Sequence, residues 1–176
     1  LYRAKDEGRN TYKFFTTEMN TELVDHLRLV HDLRIAIEQE SFLLMYQPQV
    51  DLMSGQLVGF EALVRWRQSD DTLISPADFI PIAEETDLII PLGRWILRTA
   101  CAQMRALLDG RLVNNRVVMT VNLSIRQFDD EELVEFIQAT LREFNLDATQ
   151  LELELTESVL MENLETTLDS LNKIIR

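Results

Sequence analysis

The sequence predicts an α/β fold with a parallel sheet, and two observations on the pattern of apolar residues support this prediction. Three segments, 57–66, 117–124 and 151–157, alternate apolar and polar residues with the period of two that is typical of half-buried strands. Segments with apolar residues at helical spacing lie between them. Strands that alternate with helices indicate βαβ units, in which both faces of a parallel sheet are covered.

Each predicted strand has one apolar face and one face with polar groups. In 57–66 this second face carries Glu61, Leu63 and Arg65. In 117–124 it carries Thr120, Asn122 and Ser124, and in 151–157 it carries Glu152, Glu154 and Thr156. A single alternating strand usually turns its polar face to water. Three such strands in a covered sheet favour another interpretation, because buried carboxylates need cations. The pattern places Glu61, Asn122 and Glu154 around one point and predicts a metal and phosphate site there.

Three helices are predicted from apolar residues at helical spacing. The first covers 91–108, with Pro91 suited to its first turn and Gly110 to its end. The second covers 129–144 and opens with four acidic residues, which suit the positive end of a helix dipole. The third covers 162–175.

Composition limits the class of protein and its ligands. The 176 residues, 46% of them hydrophobic, can bury a core, and they contain no apolar run of about 18 residues that could span a membrane. The net charge of −13 argues against binding to a nucleic-acid polymer, because phosphate contacts need basic patches. An acidic protein can still bind a small phosphodiester through divalent cations. Glu and Asn oxygens suit Mg²⁺ or Mn²⁺ better than zinc.

The cysteine and histidine residues indicate neither a disulfide nor a metal centre. Cys101 is the only cysteine, and its place in a predicted core helix indicates a buried thiol. A cytoplasmic location fits this cysteine content and is compatible with a membrane-tethered parent protein. His26 and His31 lie in a predicted linker helix without a partner at ligand spacing, so we expect surface positions for both.

Five ordered segments carry a resemblance to a known family. Residues 61–66 read EALVRW. The other four segments are YQP at 46–48, SPADFIPIAEE at 75–85, VNLS at 121–124 and ELELTES at 152–158. In their order along the chain, these five segments resemble the EAL domain family of bacterial cyclic di-GMP phosphodiesterases.

The resemblance implies three regions along the chain. Residues 1–16 contain LYRAK and GRN, which resemble the C-terminal end of a GGDEF, or diguanylate cyclase, domain; a plain amphipathic helix ended by Gly8 is the alternative. Residues 17–40 would form a linker helix, and residues 41–176 the N-terminal part of an EAL domain.

The fold that the resemblance implies is a modified TIM-type (β/α) barrel with one antiparallel strand. A hairpin across 51–56, joining strands around 43–50 and 57–66, is consistent with that strand. About the first two-thirds of the barrel would be present, so we expect the chain to be a fragment or a truncated gene product.

The resemblance also implies a metal-ligand set. Glu61, Asn122 and Glu154 would ligate a catalytic Mg²⁺ or Mn²⁺, with Glu61 taking the central catalytic role. Glu157 would support a loop beside the metal site and would not itself be a ligand.

A second set of residues would contact the dinucleotide. Gln47, Leu63, Arg65 and Asn122 resemble positions that bind cyclic di-GMP, and the guanidinium of Arg65 can form charge-assisted hydrogen bonds to a phosphate. A surface ion pair for Arg65 and a strand-end cap for Gln47 are the structural alternatives.

The activity that the resemblance implies is hydrolysis of cyclic di-GMP to the linear dinucleotide at a two-metal site. The family also has an Asp-Asp pair on the next strand and a lysine beyond it, and neither can be placed in this sequence. Asp70-Asp71 lies in a polar turn and Asp129-Asp130 opens a predicted helix, so neither pair replaces it. We therefore expect this chain alone to be inactive.

Two other functions remain open at this point. The first is a noncatalytic cyclic di-GMP receptor, and the second is a structural module that dimerises and transmits signals from a GGDEF neighbour. The expected partners are cyclic di-GMP, a GGDEF domain in the same parent chain and a second copy in a homodimer.

Overall fold

A computed structural model describes residues 17–155 of the chain. In chain order its elements are α1 (Thr17–Glu38), β1 (Phe42–Val50), β2 (Leu57–Arg67), β3 (Leu73–Ile74), α2 (Pro76–Glu85), α3 (Ile89–Asp109), β4 (Val118–Leu123), α4 (Ile125–Phe128), α5 (Leu133–Glu143), a short 3-10 helix (Ala148–Gln150) and β5 (Leu151–Leu155). The predicted helix over 162–175, the candidate Glu157 and the proposed GGDEF remnant at 1–16 lie outside the described residues.

The sheet confirms the predicted α/β class. Its strand order is β1-β2-β4-β5, and the two-residue β3 pairs with the end of β2. Strand β2 is parallel to β4, and β4 is parallel to β5, as βαβ units require. Strand β1 is antiparallel to β2 through a hairpin in which the Asp51 N–H donates to the carbonyl of Gln56. The positive φ of Gly55 makes this turn possible.

The core lies between one face of the sheet and the helices α2 and α3. Phe79, on α2, is fully buried, and its ring centroid lies 5.9 Å from that of Phe42 and 5.8 Å from that of Trp66. Cys101, on α3, is buried as predicted, and burial raises the pKa of its thiol to about 11.

Helix α3 confirms the predicted helix over 91–108 and extends it. It begins at Ile89, so Pro91 lies in the first turn, where a missing N–H removes no helical hydrogen bond. Gly110 ends the helix, and its N–H donates to the carbonyl of Ala106.

The prediction of a helix over 129–144 was wrong for its first turn, because α5 begins only at Leu133. The Asp130 carboxylate accepts hydrogen bonds from the side chain of Arg94 and from the backbone N–H of Glu132. Bonds of this kind between a side chain and the nearby backbone compete with helix formation. These acidic residues therefore form a connecting turn that is tied to α3.

Helix α2 was not indicated by apolar spacing, although local signals for it exist. Ser75 caps its first turn by accepting a hydrogen bond from the N–H of Ala77, and Pro76 takes the first position. Within residues 17–155, none of the helices is long and apolar enough to cross a membrane.

We predict that Phe79→Ala lowers the free energy of unfolding by about 3–5 kcal/mol, because it removes a buried ring and leaves a cavity. Urea denaturation measures this change. Leu112→Ala is the matched control, since Leu112 is 74% exposed, and it should shift the free energy by no more than about 0.5 kcal/mol. Equal effects of the two substitutions would contradict the assignment of Phe79 to the core.

Candidate functional site

Two of the three predicted metal ligands are in direct contact. The side-chain Nδ2 of Asn122 donates a hydrogen bond of 2.8 Å to Oε1 of Glu61, across the parallel pair β2 and β4. In the next parallel pair, Asn122 lies directly opposite Glu154. Side chains that face each other in register point to the same side of a sheet. The sheet therefore places Glu61, Asn122 and Glu154 on one face of three adjacent strands.

The predicted dinucleotide contacts lie on the same face. Gln47 is exposed and lies directly opposite Glu61 in the antiparallel pair of β1 and β2. Leu63 and Arg65 follow Glu61 on β2 at the spacing of two. Nη1 of Arg65 donates a hydrogen bond of 2.8 Å to the carbonyl of Val64.

A cavity of about 210 Å³ opens beside these residues. Its lining includes Leu63, Arg65 and Asn122 from the predicted set, with Glu84 and Gln127 added from α2 and α4. Much of the remaining wall is aliphatic, so the cavity combines an apolar surface with a few polar groups, as small-molecule sites usually do.

Glu84 and Gln127 were not predicted as site residues. Burial raises the pKa of the Glu84 carboxyl, and the charge of Arg126 partly opposes this effect. Gln127 could have been noticed from the sequence, because Ser124 and Gln127 have the S-x-x-Q spacing of a helix capping box. Glu84 gives no comparable local signal.

Thr120 departs from the expected open polar face. It is 2% exposed, and it lies in register between Glu61 on β2 and Glu152 on β5. Its hydroxyl has no hydrogen-bond partner among residues 17–155. The polar face is therefore buried at Thr120 and exposed to solvent at Asn122 and Glu154.

The donor chemistry of this face suits a hard divalent cation. Glu61 and Glu154 supply carboxylate oxygens, and Asn122 keeps its amide oxygen available because its Nδ2 bonds to Glu61. Across the described part of the chain, no three His, Cys, Asp or Glu side chains are gathered closely enough to hold a metal ion. A cation here would therefore depend on the amide oxygen as well as the carboxylates.

The segment after β4 is tied to α3 by a half-buried arginine. Nη2 of Arg94 donates hydrogen bonds of 2.8 Å to Asp130 and to Glu132, and its guanidinium lies 5.4 Å from the ring centroid of Phe136. Burial acts to raise the pKa of the Asp130 carboxyl. The hydrogen bonds from Arg94 and from the Glu132 N–H, with the charge of Arg94, outweigh burial and hold this pKa below its usual value.

These features define a class of protein: a partial (β/α) barrel of the TIM type, with an acidic and amide-bearing site on one face of its parallel strands. The chain belongs to the EAL domain family, because the EAL domain profile matches residues 30–176. This match confirms the resemblance seen in the sequence.

Two curated relatives and one solved structure illustrate the similarity. The chain is 41% identical over 174 residues to the bifunctional diguanylate cyclase/cyclic di-GMP phosphodiesterase MucR of Pseudomonas aeruginosa, covering 99% of this chain and 25% of that protein. It is 39% identical over 168 residues to the cyclic di-GMP phosphodiesterase PdeR of Escherichia coli, covering 96% of this chain and 25% of that protein. The solved complex of the PaMucR phosphodiesterase with c-di-GMP superposes with a TM-score of 0.78 at 40% identity, covering 84% of this chain and 59% of that one. The chain thus spans about a quarter of these two curated relatives.

We predict that the ion pair of Arg94 with Asp130 makes stability depend on pH in the acid range. The folded pKa of Asp130 is lowered, so its contribution is complete above the unfolded value of about 3.9 and is lost as the pH falls through the folded pKa. Asp130→Asn should flatten this part of the pH profile of the free energy of unfolding. The exposed neighbour Asp129 provides the control: a profile flattened equally by Asp129→Asn would refute the assignment.

Proposed function

We propose that this chain is part of a metal-dependent phosphodiesterase that hydrolyses cyclic di-GMP to the linear dinucleotide. The observation that carries the proposal is the contact of Asn122 with Glu61 and the register of Asn122 opposite Glu154. Two comparisons support the proposal. The relatives MucR and PdeR carry the name of cyclic di-GMP phosphodiesterase, and the PaMucR structure contains c-di-GMP.

In this proposal Glu61, Asn122 and Glu154 hold Mg²⁺ or Mn²⁺. A bound cation of this kind lowers the pKa of a coordinated water and offsets charge on the phosphate oxygens. The Nδ2 of Asn122 fixes one oxygen of Glu61, which orients that carboxylate. Glu61 and Glu154 lie on the same face of the sheet, on the strands either side of β4, and a cation between their carboxylates would offset the repulsion of the two charges.

Arg65, Gln47 and Leu63 bind the dinucleotide in this proposal. Arg65 lines the cavity and carries a permanent positive charge with donors only, so it suits a phosphate and not a metal. Gln47, opposite Glu61, can donate and accept hydrogen bonds beside the scissile group. Leu63 adds an apolar surface to the cavity beside Arg65.

The proposal assigns hydrolysis to the parent protein and binding to this chain. The family's Asp-Asp pair and lysine cannot be placed in the 176 residues, so this chain should hold one cation and should not turn over cyclic di-GMP efficiently. For the parent we propose a cytoplasmic site, a GGDEF domain in the same chain and a homodimer. Glu157 is proposed to support a loop at the metal site.

We predict that Glu61→Ala, Asn122→Ala and Glu154→Ala each weaken Mn²⁺ binding about tenfold or more while the chain stays folded, because each removes an oxygen donor from a face outside the core. Isothermal titration with Mn²⁺ and thermal unfolding measure the two properties. Glu152→Ala is the matched control, since Glu152 is an exposed strand neighbour two residues before Glu154.

Two results would contradict the metal assignment. Unchanged Mn²⁺ affinity together with a large fall in melting temperature would make these residues structural. An equal loss of affinity in Glu152→Ala would show that general negative charge, and not this set of ligands, attracts the cation.

We predict that Arg65→Ala weakens cyclic di-GMP binding about 10- to 150-fold while leaving Mn²⁺ affinity unchanged, since a charge-assisted contact to phosphate is worth about 1.5–3 kcal/mol. Titration of the dinucleotide in the presence of Mn²⁺ measures this effect. Arg67→Ala, an exposed arginine at the end of the same strand, is the control. Cyclic di-GMP binding by a complete parent protein without hydrolysis would instead favour the receptor function.

A further inference from the structure

Gln127 is a buried polar side chain at the cavity. It is 5% exposed and lines the same cavity as Asn122. Its Oε1 accepts a hydrogen bond of 3.1 Å from the backbone N–H of Ser124, and its own backbone N–H donates to Oγ of Ser124. This reciprocal pair is a capping box. Because Ser124 lies two residues after Asn122, the box fixes the direction in which the chain leaves β4.

A glycine on helix α3, Gly93, leaves space for the side chain of Gln127. A Cβ at Gly93 would overlap Nε2 of Gln127 and would lie 2.6 Å from its Cδ. Gly93 is buried within α3, where glycine is less favourable than alanine. The close approach of Gln127 gives a packing reason for a glycine at this position.

The next residue of α3 holds the other end of the same segment. Arg94 bonds to Asp130 and Glu132, and the N–H of Asp130 donates to the carbonyl of Gln127. Gly93 and Arg94, which are adjacent in α3, thus contact the two ends of the segment that connects β4 to α5. This segment is held from the end of the strand that carries Asn122 to the start of α5.

We propose that Gln127, seated on Gly93, is a positioning residue that holds Asn122 in the geometry needed to bind the cation. The proposal rests on the proposed function, since it assigns Gln127 no contact with the cation and lets it act through Ser124. Gln127 is buried in the cavity wall, and Gly93 leaves space for it on α3. Both observations favour a role in the site beyond capping the four-residue helix α4.

The test uses the full chain with Mn²⁺ alone as the probe, and it measures affinity by isothermal titration and stability by thermal unfolding. Gln127→Ala should weaken Mn²⁺ binding about tenfold, the lower end of the loss seen when a group that bonds a metal ligand directly is removed, because Gln127 acts on Asn122 through Ser124. Gly93→Ala should also weaken it, because the new Cβ displaces the Gln127 amide. Its melting temperature should also fall, because the displaced amide leaves its cap on Ser124, and the helix preference of alanine offsets only part of that loss. In the double variant the two losses should not add, because both act through one group.

Arg98→Gln is the matched control on the same helix. Arg98 lies one turn beyond Arg94 and donates two hydrogen bonds to Glu143, so its loss should lower the melting temperature without changing Mn²⁺ affinity. If the wild-type chain binds Mn²⁺ but Gln127→Ala changes only the melting temperature, or if the two losses add, Gln127 is a helix cap and the proposal is overturned. A wild-type chain that binds no Mn²⁺ contradicts the proposed function and this proposal together.

Discussion

The common register of β2, β4 and β5 is the constraint on which the candidate site depends. Side chains alternate along a strand, so a slip of one residue in β4 would replace Asn122 on the open face by an apolar neighbour. Val121 and Leu123 are each 1% exposed, and their burial on the opposite face opposes such a slip. The packing of the core therefore fixes the geometry of the polar face. The hydrogen bond from Asn122 to Glu61 is a consequence of that packing, since it joins strands that are far apart in the chain.

The sequence predicted the strands and their faces well, because a period of two is a local property of the chain. The alternation over 57–66 and 117–124 identified β2 and β4 within one residue at each end. The start of α5 could not be predicted in the same way. The residues before it are acidic and suit a helix N-terminus, but Asp130 bonds to Arg94, which is 36 residues earlier. A partner at that distance leaves no periodic signal.

The cavity shows the same division between local and long-range information. Leu63 and Arg65 could be placed on the site face by alternation, and Glu84 could not, because α2 is brought to the sheet by the burial of Phe79. Gln127 has a local signal in its spacing from Ser124, but that signal predicts only a helix cap. Its burial follows from a glycine on another helix. Places where a local preference is broken, such as a glycine inside α3, are where long-range packing is most informative.

The charges near the site explain how so acidic a chain could bind an anion. Ion pairs within residues 17–155 engage Arg94 with Asp130 and Glu132, while Arg65 takes part in none of the pairs found there. The hydrogen bond from Arg65 goes to a neutral backbone carbonyl, so its charge is not offset by that partner. A surface ion pair was the structural alternative for Arg65, and the described residues provide none. In the proposed function, a phosphate would be attracted both by this charge and by a cation held by Glu61, Asn122 and Glu154. Both are needed, because the carboxylates alone would repel a dinucleotide.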